Sequence, residues 1–297
     1  MIGLSALSIG LPGIVQAGPR QPHPALITLR RELEALIGDR EVAVDIRRMD
    51  TVTGHTYYRA QVKAEELYPV ASCFKTWAAL YYFTHMPADA WNYAEGSPVY
   101  NMLVSSSNND TSTVLDTVGR QVRGYGNAIQ KFNDFLLFTL HFDNGLYSWN
   151  WPGTVTAGQI DDRFAPSWSH YVEFHGQRYD MNNIMTAREM ADGYTLFFQP
   201  GYMAEDAFRL THDLLGIPGR RYRAPLERVF AQGYTGKDGV LPAADSTVGY
   251  VMNDAGIVQI GDGTYIIAYM CIGENEPAAL ETLRTIAGLI EQFEAAL

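Results

Sequence analysis

Apolar and polar positions follow two different periods along this chain, and the switches between them divide it into blocks. Leu26, Ile27, Leu29, Leu33, Leu36 and Ile37 recur at helical spacing and stop at Gly38, which predicts a helix from Pro24 to Ile37. Glu41 to Ile46 alternates and His55 to Arg59 is aromatic and β-rich, so the two read as a hairpin turning at Asp50 to Gly54. From Ser72 to about Phe142 the period is helical with polar breaks, including Phe74 to Phe83 and Ala128 to Leu140, and no strand stands out. Tyr147 to Asn183 keeps neither period and holds three of the five tryptophans, Trp149, Trp151 and Trp168. A long aperiodic stretch inside a compact protein is usually a functional loop. Helical spacing returns over 186–198 and 204–215. Strands follow at 246–252, 256–260 and 265–272, the last two joined by Gly261-Asp262-Gly263, and a helix over 277–297 closes the chain.

This order makes an α+β reading: an antiparallel sheet built from both ends of the chain, flanked by helices, with an inserted all-α subdomain. Residues 18–70 and 184–297 form the sheet part. Residues 71–183 form the helical part with its long loop, and the two make one domain.

Composition narrows the function classes. The chain has 297 residues, 47% hydrophobic and 19% charged, with 33 acidic against 22 basic side chains and a formal charge of −11. A surface that acidic repels phosphate backbones and anionic head groups, which sets nucleic acid aside as a partner. No later stretch approaches the roughly 18 consecutive apolar residues of a membrane span. Met1 to Ala17 is uncharged and apolar and ends Val15-Gln16-Ala17 before Gly18, so it reads as a signal segment lacking a basic start, and the protein as exported. Cys73 and Cys271 are too few for a disulfide framework. His170 and His175, with Glu173 between them, lack the HExxH spacing and the other histidines are scattered, so neither a metal nor another cofactor is expected.

Three local features carry chemistry. Ala71-Ser72-Cys73-Phe74-Lys75-Thr76 is an SxxK motif at the start of an apolar helix. Residues i and i+3 share a helix face, so Lys75 can take the Ser72 proton if burial lowers its pKa; as a helix cap, Ser72 has a plainer use. Val104-Ser-Ser-Ser-Asn-Asn-Asp-Thr111 holds a Ser107-Asn108-Asn109 triplet, a second hydroxyl and an amide, in a cluster that equally suits a helix cap. Gly233-Tyr234-Thr235-Gly236-Lys237 places a Thr-Gly pair on a strand edge, where the backbone can approach a substrate carbonyl, or forms an ordinary glycine turn. Its glycine spacing and Asp238 exclude a P-loop.

Taken together and in this order, SxxK, SxN and a Thr-Gly strand resemble the serine β-lactamase and penicillin-binding-protein superfamily, most closely the class A β-lactamases. Val42 to Leu80, leading through Tyr68-Pro-Val-Ala-Ser-Cys-Phe-Lys75, is similar to the family's hairpin and nucleophile helix. Ser107 to Gly119 is similar to its second-motif helix, Asn183 to Ala191 to the helix after its omega loop, and Asn253 to Val258 with Tyr265 to Ile272 to its last strands. The resemblance implies a β-lactamase/transpeptidase-like fold over roughly residues 24–297 and a serine hydrolase acting on a β-lactam, a peptidoglycan-type peptide or an ester. By position, it makes Ser72 the acylated nucleophile, Lys75 its base and Ser107 the proton shuttle. Asn109 would contact the substrate's amide side chain and Thr235 its carboxylate, on an edge with Tyr234, Gly236 and Lys237. The Ser72 and Lys237 N–H groups would form the oxyanion hole. The alternative is a protein of this fold that is acylated, or binds cell-wall peptide, without turnover.

The pattern departs from the family in three places. Tyr234 stands where the third motif starts with Lys or His and is neutral at pH 7, leaving Lys237, Arg220, Arg221 and Arg223 as nearby cations. The ExxLN sequence of the deacylating glutamate is missing, so Glu173, with Asp161 and Asp162 upstream, is the candidate deacylation base. The loop is long and aromatic, and Trp149, Trp151, Trp168 and Tyr171 either pin it to the core, the commoner use of loop aromatics, or wall the pocket.

Overall fold

A computed structural model gives the arrangement of residues 23–149, 158–159, 171–180, 183–199, 201–218, 224–230 and 233–297. The signal segment 1–17, Trp151, Asp161, Asp162, Trp168, Arg220, Arg221 and Arg223 lie outside the described residues, as do the side chains of Trp149 and Tyr171. The helices are α1 (Pro24–Ile37), α2 (Lys75–His85), α3 (Pro98–Val104), α4 (Asn108–Gln121), α5 (Ala128–Phe138), α6 (Ala187–Thr195), α7 (Glu205–Leu215), α8 (Pro225–Val229) and α9 (Glu276–Ala295). The strands are β1 (Val42–Met49), β2 (Thr56–Val62), β3 (Leu67–Pro69), β4 (Ser148–Trp149), β5 (Gly158–Gln159), β6 (Tyr171–Phe174), β7 (Gln177–Asp180), β8 (Ile184–Thr186), β9 (Thr235–Leu241), β10 (Val251–Ile260) and β11 (Gly263–Cys271).

The main sheet is antiparallel with strand order β2-β1-β11-β10-β9. Strands from the two ends of the chain meet at β1 and β11, where Val42 lies opposite Cys271 and Met49 opposite Thr264. Every residue of β11 is buried, so helices must cover both faces. Val251, Ala255 and Ile257 of β10 belong to the core shared with the helical block, whereas Met252, Val258 and Ile260 pack into the core under α1, α8 and α9.

That two-sided burial explains where the sequence reading slipped. The strands expected at 246–252 and 256–260 are one strand, Val251–Ile260, preceded by a 3-10 turn at Ala243–Asp245. Asn253 and Asp254, polar residues that separate the two expected strands, lie inside the one strand, buried and hydrogen-bonded. The aperiodic stretch after Tyr147 contains two short antiparallel pairs, β4 with β5 and β6 with β7.

Helix α2 is the axis of the helical block. All residues from Lys75 to Phe83 are buried, the pattern of a helix surrounded by protein. Trp77 meets Phe142 at 5.5 Å and Tyr194 at 5.2 Å between ring centroids, edge to face; burying a large apolar side chain is worth about 3 kcal/mol. Among the described residues, no helix is long and apolar enough to cross a membrane, and no group of three or more His, Cys, Asp or Glu could hold a metal ion.

Glu189 ties the start of the long loop to α6. Its carboxylate is wholly buried and accepts the Asp143 and Asn144 N–H groups at 2.7 and 2.9 Å, the Asn144 amide at 3.1 Å and the Thr186 N–H at 2.8 Å. Thr186 in turn accepts the Glu189 N–H, a capping box that starts α6. Glu189→Ala leaves these donors without an acceptor and is expected to cost about 3 kcal/mol in urea unfolding; a loss below about 1 kcal/mol would contradict the clamp.

Candidate active site

Three contacts hold Ser72 in place. Strand β3 ends at Pro69, whose carbonyl accepts the Asn253 amide from β10 at 2.6 Å. The next N–H, of Val70, donates to the Asn183 carbonyl at 3.1 Å. Ala71 then takes a left-handed φ of 50°, a strain of about 1–3 kcal/mol for a residue with a Cβ, and the chain turns into α2 with Ser72 half-buried at the bend. The third contact is β9: a Cβ at Gly239 would stand 2.7 Å from the Ser72 nitrogen and 2.9 Å from the Val70 oxygen. Only glycine lets the strand lie this close to the Ser72 amide.

Lys75, one turn along, is wholly buried. Its amine donates to the Ser106 carbonyl at 2.8 Å and to Asn108 Oδ1 at 2.7 Å, and it meets the Ser106 hydroxyl at 3.3 Å. Burial, then the charge of Lys237, pulls its pKa well below the usual lysine value. A neutral amine has two N–H groups and one lone pair. Two carbonyl oxygens can take the N–H groups, which turns the lone pair toward the Ser106 hydroxyl. Among the described residues, no hydrogen bond joins Lys75 to the Ser72 hydroxyl, so the direct pair expected from SxxK is replaced by a clasp on the second motif.

That clasp moves the second motif by one residue. Ser107 does not reach Lys75: it is the N-cap of α4, its hydroxyl accepting the Asp110 N–H at 3.3 Å. Asn109 is exposed on α4, its carbonyl accepting the Thr113 hydroxyl. The chain instead turns Ser106 inward at a left-handed φ of 52° and presents Ser106 and Asn108. Ser106-Ser107-Asn108 is as good an SxN as the triplet one residue later, and the capping demand of α4 decides between them.

The third motif moves by three. Tyr234 makes no hydrogen bond to Lys75: it packs at the edge of the core shared with α8 and α9 and donates to Asp254 Oδ1 at 2.6 Å. Thr235 is buried near Gly216 after α7, and Gly236 backs onto Ala255 and Gly256 rather than Ser72. Gly239, three residues beyond Gly236, is the glycine that lies against Ser72, and the lysine two residues before it is Lys237. Of the cations expected to stand in for Tyr234, Lys237 is on this strand, and the β9 backbone at Gly239 lies against the Ser72 amide. Lys237 is buried and donates to the Asp238 carboxylate at 2.6 Å and the Asp238 carbonyl at 2.9 Å. Burial lowers its pKa, but the Asp238 charge and hydrogen bond outweigh that and raise it, so Lys237 stays charged. A cavity of about 200 Å³ opens here, lined by Ser105, Ser106, Glu227, Tyr234, Lys237 and Asp238 among others.

Glu173 is not brought to Ser72. It is exposed on β6 and lines a separate hollow with Glu41, Lys63, Glu66, Tyr68 and His175, because the β6–β7 hairpin packs beside β3. Cys73 and Cys271 are free, buried thiols. Burial pushes Cys73 well above and Cys271 up to about 12, so neither competes with Ser72 as a nucleophile.

No family model matches the chain, and no curated protein matches its sequence. Solved structures do match. It is similar to PBP-A in its acyl-enzyme complex with penicillin G, at 17% identity, 92% of this chain and 98% of that chain covered, and a TM-score of 0.62. It is also similar to the TLA-3 extended-spectrum β-lactamase (12%, 90% and 98%, 0.62) and to a β-lactamase from Sphaerobacter thermophilus (14%, 92% and 98%, 0.60). The chain therefore has the β-lactamase/transpeptidase-like fold, as the resemblance of its motifs implied.

Behind β9, Asp254 is a buried acid that accepts from Tyr234 and from the Leu226 N–H at 2.7 Å. Burial and then the Asp238 charge raise its pKa to about 7 against its donors and Lys237. The folded state thus holds one more proton than the unfolded chain between about pH 4 and 7, so this group's contribution to stability falls as pH rises through that window and is constant above it. Asp254→Asn is expected to shift stability by a constant amount and to remove this slope, read from urea midpoints at pH 5 and pH 8. An unchanged slope would contradict a protonated Asp254.

Proposed function

We propose that the protein is a serine acyl-transfer hydrolase acting on an amide or ester through an acyl-enzyme on Ser72. The observation that carries this is Lys75: a buried amine of lowered pKa, three residues from Ser72, held by the Ser106 carbonyl and Asn108 and in contact with the Ser106 hydroxyl that can relay its proton. Lys75 takes the Ser72 proton as Oγ bonds the substrate carbonyl carbon and the carbonyl π pair moves onto oxygen. The Ser72 N–H and the β9 backbone beside Gly239 face that oxyanion. When the pair returns, the carbon–nitrogen or carbon–oxygen bond of the leaving group breaks. The proton on Lys75 reaches the departing atom through the Ser106 hydroxyl. Water then attacks the acyl carbon, gives a proton back through Lys75, and frees Ser72. Asn108 holds the Lys75 amine, and Lys237 keeps the field around it positive.

A second reading is favoured by the position of Glu173 on the far hairpin: without it beside the ester, the acyl-enzyme persists, as in a penicillin-binding or sensor protein. The two readings differ only in the lifetime of one adduct.

Intact-protein mass after mixing with penicillin G and, separately, with an activated ester is expected to show a single adduct in the native protein and none in Ser72→Ala. Lys75→Ala is expected to slow its formation by at least about 10²-fold. Decay of the adduct marks a hydrolase and persistence marks the sensor; an adduct that forms equally in Ser72→Ala would contradict both.

A further inference from the structure

The third motif differs from the family's in one chemically decisive place. The residue after the motif lysine, expected by the resemblance to offer a hydroxyl to a substrate carboxylate, is Asp238. Its Oδ1 lies 2.6 Å from Lys237 Nζ, with the two side chains only 13% and 4% exposed. The carboxylate is therefore fixed against the ammonium inside the protein, where solvent screens the pair little. It takes up the ammonium that a substrate carboxylate would otherwise pair with. Both residues line the 200 Å³ cavity beside Ser106, and Glu227 adds a second acid to its wall.

Resting on the hydrolase reading above, we infer that Asp238 is a specificity-determining residue: it satisfies Lys237 internally and selects substrates with no carboxylate on the leaving-group side, such as neutral amides or esters. A carboxylate-bearing acyl donor meets an anion where the motif would otherwise present a free cation and a hydroxyl. It must displace Asp238 from Lys237 or bind beside a like charge, and either discriminates against it. A neutral leaving group makes no demand on Lys237 and leaves the Lys237–Asp238 pair intact.

The test compares penicillin G, a free acid, with its methyl ester in the native protein, Asp238→Thr and Asp238→Asn. The rate of Ser72 acylation is followed by intact mass. The quantity read is the ester-to-acid rate ratio within each protein, which a partial loss of folding or of general reactivity leaves unchanged. The native protein is expected to favour the ester, and both variants to lower the ratio by about tenfold or more, the acid gaining most in Asp238→Thr. A ratio that is the same in all three proteins, or a native protein that favours the acid, overturns the inference. That is the result expected if the arginines at 220, 221 and 223 provide an anion site. If neither probe labels Ser72 in any of the three, the hydrolase reading itself fails and takes the inference with it.

Discussion

An ammonium group cannot stay charged cheaply at the start of a helix buried on every side, and the site of this protein is arranged around that constraint. From Lys75 to Phe83 nothing in α2 reaches solvent, so Lys75 has lost its hydration and has no carboxylate in its place. Its polar neighbours are the carbonyl of Ser106 and the amide oxygen of Asn108, which satisfy N–H groups without favouring the charged form as an acid would. Lys237 adds a like charge, and its own compensation comes from Asp238. The pKa of one lysine is pulled down and that of the other pushed up because their environments differ, the pattern that divides base from electrostatic stabiliser in acid–base sites.

The rest of the fold brings its elements to this point with little slack. Asn253 joins the sheet to the carbonyl just before the nucleophile turn, Gly239 lets β9 lie against the Ser72 amide, and Glu189 secures the loop start to α6. Ala71 and Ser106 both sit in the left-handed region on either side of Lys75. Local strain of that kind persists only where the surroundings dictate the geometry, and here both strained residues aim a functional group inward.

Much of the architecture was legible in the sequence because it rests on periodicity. Helix α1 begins and ends where the apolar spacing and Gly38 place it, the β1–β2 hairpin and α9 are within a few residues, and SxxK lies at the head of the most buried helix. What failed depended on contacts between distant residues. The SxN triplet could be read in two frames, and only the cap of α4 separates Ser106 from Ser107. The third motif could begin at Tyr234 or at Lys237, and only the approach of β9 to Ser72 picks out Gly239. Asn253 and Asp254 interrupt the apolar run of β10, and their partners Pro69, Tyr234 and Leu226 are far away in sequence. Glu173 was chosen as the one glutamate in the long loop, but the hairpin carrying it faces another hollow.

The protonation state of Lys75 is the most direct point at which to test this view. The chain has four lysines, Lys63, Lys75, Lys131 and Lys237, so a sample labelled with carbon-13 at lysine Cε gives a spectrum in which each titrates separately. The Lys75 signal is assigned by its loss in Lys75→Met. It is expected to titrate well below the ordinary lysine value of 10.5, with Lys237 above it. A Lys75 that stays protonated to about pH 10 or beyond would mean that the amine is no base for Ser72, and the site would have to work by another route.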